Sequence, residues 1–269
     1  MKSISQPIKL KLFLVLTFSC TGLVVSQTLT FGHSLGDRLA SHNPKTIVAQ
    51  TPRFEQPPIP PGPPPGGRVR GGATRGGACL PAKELTALTP FNEEADGVIN
   101  VWAQTTLERP SWFFYVPCTK DQVDLVEFVL QDEDSNEIFK QTIALPDKPG
   151  VMRVSLPSTA PALALNKRYR WFFKINYDPQ KNSPWTYVEG VIQRVNLSQA
   201  TVKELETAEP LKRCAIYSQN GIWYEAIATL AQLRQKNPQD TGLQAQWENL
   251  VASIRLDDVA KEPLLLDKP

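Results

Sequence analysis

Histidine is almost absent from this chain: of 269 residues only His33 and His42 are histidines, and both precede the region with folding signals. Imidazole is the general base of Ser-His-Asp and Cys-His catalysis and a principal zinc ligand, so the body of the protein lacks both kinds of site. Cysteine is scarce as well. Cys20, Cys79, Cys118 and Cys214 are the four present, none in a CxxC spacing, which leaves metal and redox roles without support. Charge of one sign is also missing: the net value of +2 falls to −1 once Lys2, Lys9 and Lys11 are set aside. Nucleic-acid domains concentrate basic charge on one face, so no nucleic-acid partner is expected. No cofactor motif is found, and none is expected to bind.

Long apolar runs are few. The 14 residues from Leu12 to Val25 follow three lysines and are broken only by small or hydroxylated residues. A membrane span needs about 20 apolar residues, whereas a signal-peptide core needs roughly 7 to 15. Residues 1–26 therefore read as a signal peptide cut near Ser26, and the chain as exported to the periplasm, the cell envelope or beyond. Cys20 invites a lipoprotein reading, but Thr17-Phe18-Ser19 lacks the aliphatic residue of a lipobox; retention of the run as an uncleaved anchor is the other alternative. Nothing after Ser26 is long enough to span a bilayer, so no membrane span is expected in the mature protein.

Residues 27–78 show no hydrophobic period, and the 26 residues from Pro52 to Gly77 hold 8 prolines and 7 glycines. Proline fixes an extended backbone, so the stretch PPIPPGPPPGG is expected as a polyproline-II-like spacer, disordered with its flanks, rising about 3.1 Å per residue. The Arg-Gly-Gly triplets at Arg70 and Arg75 are read as part of this soluble spacer rather than as an RNA-binding arm. A proline-rich ligand for a partner's groove is the functional alternative.

From Cys79 to about residue 196 the pattern is that of strands. In KRYRWFFKINY, Tyr169, Trp171, Phe173, Ile175 and Tyr177 alternate with Arg168, Arg170, Phe172, Lys174 and Asn176, the period of a half-buried strand. SWFFYVP, DLVEFVLQ, EIFKQTIAL, GVMRVSLP and TYVEGVIQRV read likewise. Short strands without intervening helices favour an antiparallel, immunoglobulin- or fibronectin-like β-sandwich; a barrel shares most of the signals, and Leu165 before Tyr169 resembles a tyrosine corner. Residues 197–269 change to the helical period. Ser198 can cap a helix over Ala200–Ala208, Pro210 suits the first turn of a second, and Asn220-Gly221 closes it. Trp223, Ala226, Ile227, Leu230 and Leu233 then share one face, as do Leu243, Trp247, Leu250, Val251 and Ile254. The class expected is α+β, with a sandwich over 79–196 and a helical hairpin over 197–269.

The segment AIYSQNGIWYEAIATLAQLRQKNP, Ala215 to Pro238, resembles one tetratricopeptide unit. A single unit cannot stand alone, so its apolar face must be buried against the β domain or a partner. Taken in order, RPSWFFYVP, VEFVLQDEDSNEIFKQTIALPDKPGVMRVSLP, KRYRWFFKINYDPQ and NGIWYEAIATLAQLR resemble a family of exported proteins, found mainly in cyanobacteria and known as a domain of unknown function (nine-two-eight). The resemblance covers about Gly66 to Leu265 and implies a secreted β domain with a helical C-terminal segment. It implies no activity and no catalytic residue.

Candidate chemistry is thin. Glu108, Glu127, Asp132, Glu133, Asp134, Glu137 and Glu189 could supply a glycosidase-type carboxylate pair, but nothing in their spacing fixes one, and carboxylates at strand ends commonly serve solubility. DEDSNE, Asp132 to Glu137, begins like a calcium loop and then fails, with Glu137 and Ile143 where glycine and glutamate belong; it reads as an acidic hairpin turn. Cys79 and Cys118 can form a disulfide if the strand after Cys79 runs antiparallel to the one ending at Pro117, and free core cysteines are the alternative. Trp112 and Trp171 read as core, Trp223 and Trp247 as the core of the helical hairpin. Trp185, with Tyr187 beside it, is the candidate for an exposed ligand-contact surface. The reading that results is a non-catalytic exported protein that binds or scaffolds an envelope protein partner; the alternative is a carbohydrate-binding module for wall or extracellular polysaccharide.

Overall fold

A computed structural model describes residues 52–59, 61–72, 83–177 and 185–266. Among these residues are ten strands: β1 (Thr86–Ala87), β2 (Phe91–Glu93), β3 (Ile99–Thr105), β4 (Ser111–Val116), β5 (Leu125–Gln131), β6 (Glu137–Thr142), β7 (Gly150–Ser155), β8 (Arg168–Asn176), β9 (Thr186–Arg194) and β10 (Leu264–Leu265). Four helices follow β9: α1 (Gln199–Thr207), α2 (Pro210–Gln219), α3 (Trp223–Lys236) and α4 (Thr241–Ala252). None is long and apolar enough to cross a membrane.

The strands form a six-stranded sheet, β2-β3-β9-β8-β5-β6, and a four-stranded sheet, β1-β4-β7-β10. The α+β class is as expected, but the purely antiparallel, immunoglobulin-like arrangement is not what is seen. β3 runs parallel to β9, with Trp102 opposite Val191, and β10 runs parallel to β7. Parallel neighbours need long crossovers, and the chain supplies them: β4 to β8 intervene in one case, and all four helices in the other. Alternation along a strand tells which side chains point inward, not which way its neighbour runs. The hydroxyl of Tyr169 accepts a hydrogen bond from the Ala164 amide at 3.0 Å.

Aromatic alternation builds the core. Phe114 of β4 stacks on Phe173 of β8 with centroids 4.3 Å apart and meets Trp171 edge-on, while Trp112 packs on Phe128 of β5 at 4.7 Å. These contacts join the two sheets face to face. Phe113, pointing the other way from β4, meets Trp247 of α4 at 6.2 Å, so the helices cover the second face of the small sheet. The stripes expected on α3 and α4 are the buried ones: Trp223, Ala226, Ile227, Leu230, Trp247, Leu250 and Val251 belong to the same apolar cluster as the strands. The change from strands to helices near residue 196 therefore separates types of secondary structure within one shared core. Helix α1 is the exception, capped by Ser198 as expected but burying none of its own residues.

Residues 52–59 and 61–72 correct the linker expectation. They lie on the body as a strap, bent at Gly62, Gly66 and Gly67, which all have positive φ, rather than extending as a rod. Phe54 is buried edge-on against Trp223 at 5.1 Å, and its amide donates to Ser253 Oγ. Val69 is buried as well, and Arg68 exchanges two backbone hydrogen bonds of 2.9 Å with Glu189 of β9. A side chain on Gly67 would sit 2.8 Å from the Glu189 carbonyl, so the close passage needs glycine. Arg70 grips the carboxylate of Asp258 with two hydrogen bonds of 2.9 and 2.8 Å. Proline and glycine content concealed two apolar anchors and an arginine fork. The remainder of the expected linker and the expected signal peptide lie outside the described residues.

Glu225, in the first turn of α3, fastens that helix to the end of β3. Its buried carboxylate accepts from the hydroxyls of Thr105 and Thr106 and from the Thr106 amide. Burial pushes its pKa upward, against the opposing effect of those donors.

Two outcomes are expected. Phe54→Ala should lower unfolding free energy by about 3 kcal/mol in a urea titration, because a buried ring is lost, whereas exposed Pro58→Ala should change it by less than about 0.5 kcal/mol; equal, negligible effects would restore the spacer reading. Because the folded Glu225 pKa lies above its unfolded value of about 4.3, the stability it contributes is full below that pH and is lost as pH rises through the folded value. Glu225→Gln, which keeps an acceptor oxygen, should therefore gain on the wild type as the pH of the unfolding measurement is raised from about 4, and level off once the folded value has been passed.

Candidate functional site

The alternation that sends Tyr169, Trp171, Phe173 and Ile175 inward sends Arg168, Arg170, Phe172 and Lys174 to the outer face of the six-stranded sheet, where all four are half-buried. On β9 the outward residues are Tyr187, Glu189, Val191 and Gln193, with Trp185 just ahead of the strand. Register places Lys174 opposite Tyr187 and Phe172 opposite Glu189. β5 adds Glu127 opposite Lys174 and Val129 opposite Phe172. The sequence candidates Trp185 and Tyr187 thus fall on one continuous face, half-buried rather than freely exposed.

Cations lie over these rings. Lys174 Nζ is 4.9 Å from the centre of the Trp185 ring, and the Arg68 guanidinium of the strap is 4.7 Å from that of Tyr187, which is also 6.4 Å from Phe172. The ring faces carry negative quadrupole charge, so each contact is attractive. Glu127 lies buried between Lys174 at 3.1 Å and Lys140 at 3.2 Å. Burial alone would raise its pKa, but the two ammonium groups outweigh that and hold the carboxyl below its ordinary range. Glu189 pairs with Arg170 at 3.3 Å. The face carries Arg68, Arg168, Arg170, Lys140 and Lys174 beside Glu127 and Glu189, around an aromatic centre, with Asp132 and Glu133 at its edge.

The strap crosses this face. Arg168 donates from Nη1 to the Pro63 carbonyl at 3.2 Å and from Nη2 to the Pro61 carbonyl, and Arg170 Nη2 donates to the Pro65 carbonyl at 2.7 Å. A groove of about 620 Å³ runs between these prolines and the β5–β6 turn, floored by Arg168, Arg170 and Tyr169 and walled by Asp132 and Glu133. The turn is the acidic hairpin expected: the Asp132 carboxylate takes the amides of Asp134 and Asn136 and the Asn136 side-chain amide. Glu133 binds Lys167 at 2.9 Å.

The other candidate carboxylates do not converge on one another. Glu108 pairs with Arg194 at 3.1 Å, while Glu127, Glu133 and Glu189 hold the separate partners just given. Among the described residues, no group of three or more His, Cys, Asp or Glu is arranged to hold a metal. β1 pairs antiparallel with β4. Cys118 is in a disulfide whose other half lies outside the described residues, as Cys79 does. Cys214 is a free, buried thiol whose pKa burial pushes up to about 12, an unreactive state. Trp112, Trp171, Trp223 and Trp247 are core residues, as expected.

Sequence reasoning named Trp185 and Tyr187 of the outer face as a contact surface and Glu127 and Glu189 only as candidate acids, gave Arg168, Arg170, Phe172 and Lys174 as the alternate set of the strand without a role, and left Arg68 in the spacer. Their signal was present in the strand period, which assigns a solvent side as firmly as a core side. The prolines were missed for another reason: nothing in their composition says which surface will accept their carbonyls. No curated protein matches the chain. The family model described as Domain of Unknown Function (DUF928) matches residues 70–264, from the arginine that grips Asp258 to the first residue of β10, and the chain belongs to that family.

Proposed function

We propose that this chain is an exported, non-catalytic protein that binds a protein partner in the cell envelope, with the outer face of the six-stranded sheet as its contact surface. The observation that carries this reading is that the face already holds peptide: three proline carbonyls rest on Arg168 and Arg170. Export rests on the lysine-flanked leader. The carboxylates paired with separate basic groups, and a body without imidazole, support binding rather than turnover. Read as a tetratricopeptide-like pair, α2 and α3 turn their apolar stripes inward and serve stability, which moves the contact surface from the helices to the sheet.

A polysaccharide ligand is the second reading, supported by Trp185, Tyr187 and Phe172 on one sheet face, since sugar rings stack on such surfaces. Tyr187 separates the two. A photo-crosslinking residue at 187 should label an envelope protein, whereas one at exposed Val202 on α1 should not. Against that partner, Tyr187→Ala should weaken binding by about 2 kcal/mol, roughly thirtyfold, as measured by calorimetry. Binding to a glycan array that is lost with Trp185→Ala, and no protein crosslink, would replace the first reading with the second.

A further inference from the structure

We infer that Arg168 and Arg170 form a subsite for proline-rich peptides, and that Pro61 to Pro65, bent at Gly62 and extended over Pro63 to Pro65, is its resident occupant, exchangeable for the same kind of segment from another protein. This rests on reading the outer sheet face as a protein-binding surface, and adds the chemical class of the partner.

The chemistry of the two sides is complementary. A proline-rich backbone has no amide hydrogens to offer at its prolines and makes no internal hydrogen bonds, so its carbonyl oxygens stand free in an extended chain. Guanidinium groups are the matching surface, with five donors in a fixed fork and no acceptor. Arg170 uses both arms, one on the Pro65 carbonyl and one on Glu189, which fixes its plane.

Spacing supports the match. Alternate residues on a strand are separated by about 6.7 Å, and alternate residues of a polyproline chain by about 6.2 Å. Arg168 and Arg170 therefore meet Pro63 and Pro65 in step, both sequences running the same way. At Pro61, Pro63 and Pro64, which are exposed, the face holds backbone rather than ring, while Pro65 is buried and its ring is held as well.

Two properties make the occupant exchangeable. Its firm anchors lie outside the subsite, at Phe54 on one side and Val69 on the other. Between them, the Glu55 amide is held by the Ser218 carbonyl and the Gly66 amide by Asn100 Oδ1, so the proline turn is a loop clipped at both ends. It can lift from the arginines without unseating either anchor. The groove of about 620 Å³ beside it gives an incoming chain a place to begin. A tethered occupant competes at an effective concentration in the millimolar range, so the subsite favours its own segment until a stronger or multivalent ligand arrives.

The test uses the full chain and a fluorescent peptide of residues 57–67. In the wild type the peptide should bind weakly. Replacing Pro63, Pro64 and Pro65 with Gly-Ser-Gly removes the pre-set backbone of the resident segment, and should tighten peptide binding at least about tenfold by fluorescence anisotropy. In that background Arg168→Lys with Arg170→Lys should abolish the gain while keeping the charge and the melting temperature, because lysine's compact ammonium lacks the rigid planar fork that spans two separate acceptors. The acceptors are neutral, so the affinity should change less than about threefold between 50 and 300 mM salt, unlike that of a polyanion. No tightening in the softened strap, or tightening that survives both lysines, would overturn the inference. A protein partner crosslinked at position 187 together with no peptide binding would overturn it alone, leaving the surface assignment standing; glycan binding alone would remove both.

Discussion

Trp112, Phe113, Phe114 and Tyr115 follow one another on β4, and all four are buried. A strand turns successive side chains to opposite sides, so such a run cannot rest with one face in water. The architecture answers that demand twice. The six-stranded sheet takes Trp112 and Phe114 through Phe128, Trp171 and Phe173, and α4 takes Phe113 through Trp247. Helices are thus required as a third layer, and their apolar stripes are committed before any partner is considered.

That commitment determines where binding is available. The apolar stripes of α3 and α4 are turned inward, and the outer side of the large sheet presents aromatic rings that lie under cations and carboxylates matched to basic neighbours. Glu127 illustrates the balance: burial opposes its charge, and two lysines restore it. The strap adds a peptide already in place. If a partner binds there as proposed, half-buried rings and forked donors are the groups able to supply affinity, with the matched charges around them as a polar rim.

Much of this was legible in the sequence, and for identifiable reasons. The helices from Ser198 onward were readable because caps, Pro210 and the 3.6-residue period agree locally. The inward side of β8 was readable from its aromatics. β3 was not singled out, since INVWAQT lacks clean alternation: it is buried on both sides over Val101, Trp102 and Ala103. Strand direction was not legible either, because parallel pairing of β3 with β9 depends on contacts far apart in the chain. The strap is the sharpest case. Its composition describes a spacer accurately until Phe54, Val69 and Arg70 find Trp223, the sheet and Asp258, none of which lies near them in sequence.

Those last contacts bind the chain's early part to its late part: Phe54 to Ser253, Arg70 to Asp258 and Lys83 to Glu262. A polypeptide is made from its N-terminus, so the strap exists long before the residues that receive it. Its partners on β8, β9 and α3 come first, and Ser253 and Asp258 only after α4. Proline-rich, poor in bulky side chains and unable to join a sheet as an interior strand, it is well suited to wait without being captured by the wrong neighbour. Composition that looks like a lack of structure thus joins segments far apart in the chain, and the grip of Arg70 on Asp258 can form only after α4 and the turn beyond it have been made.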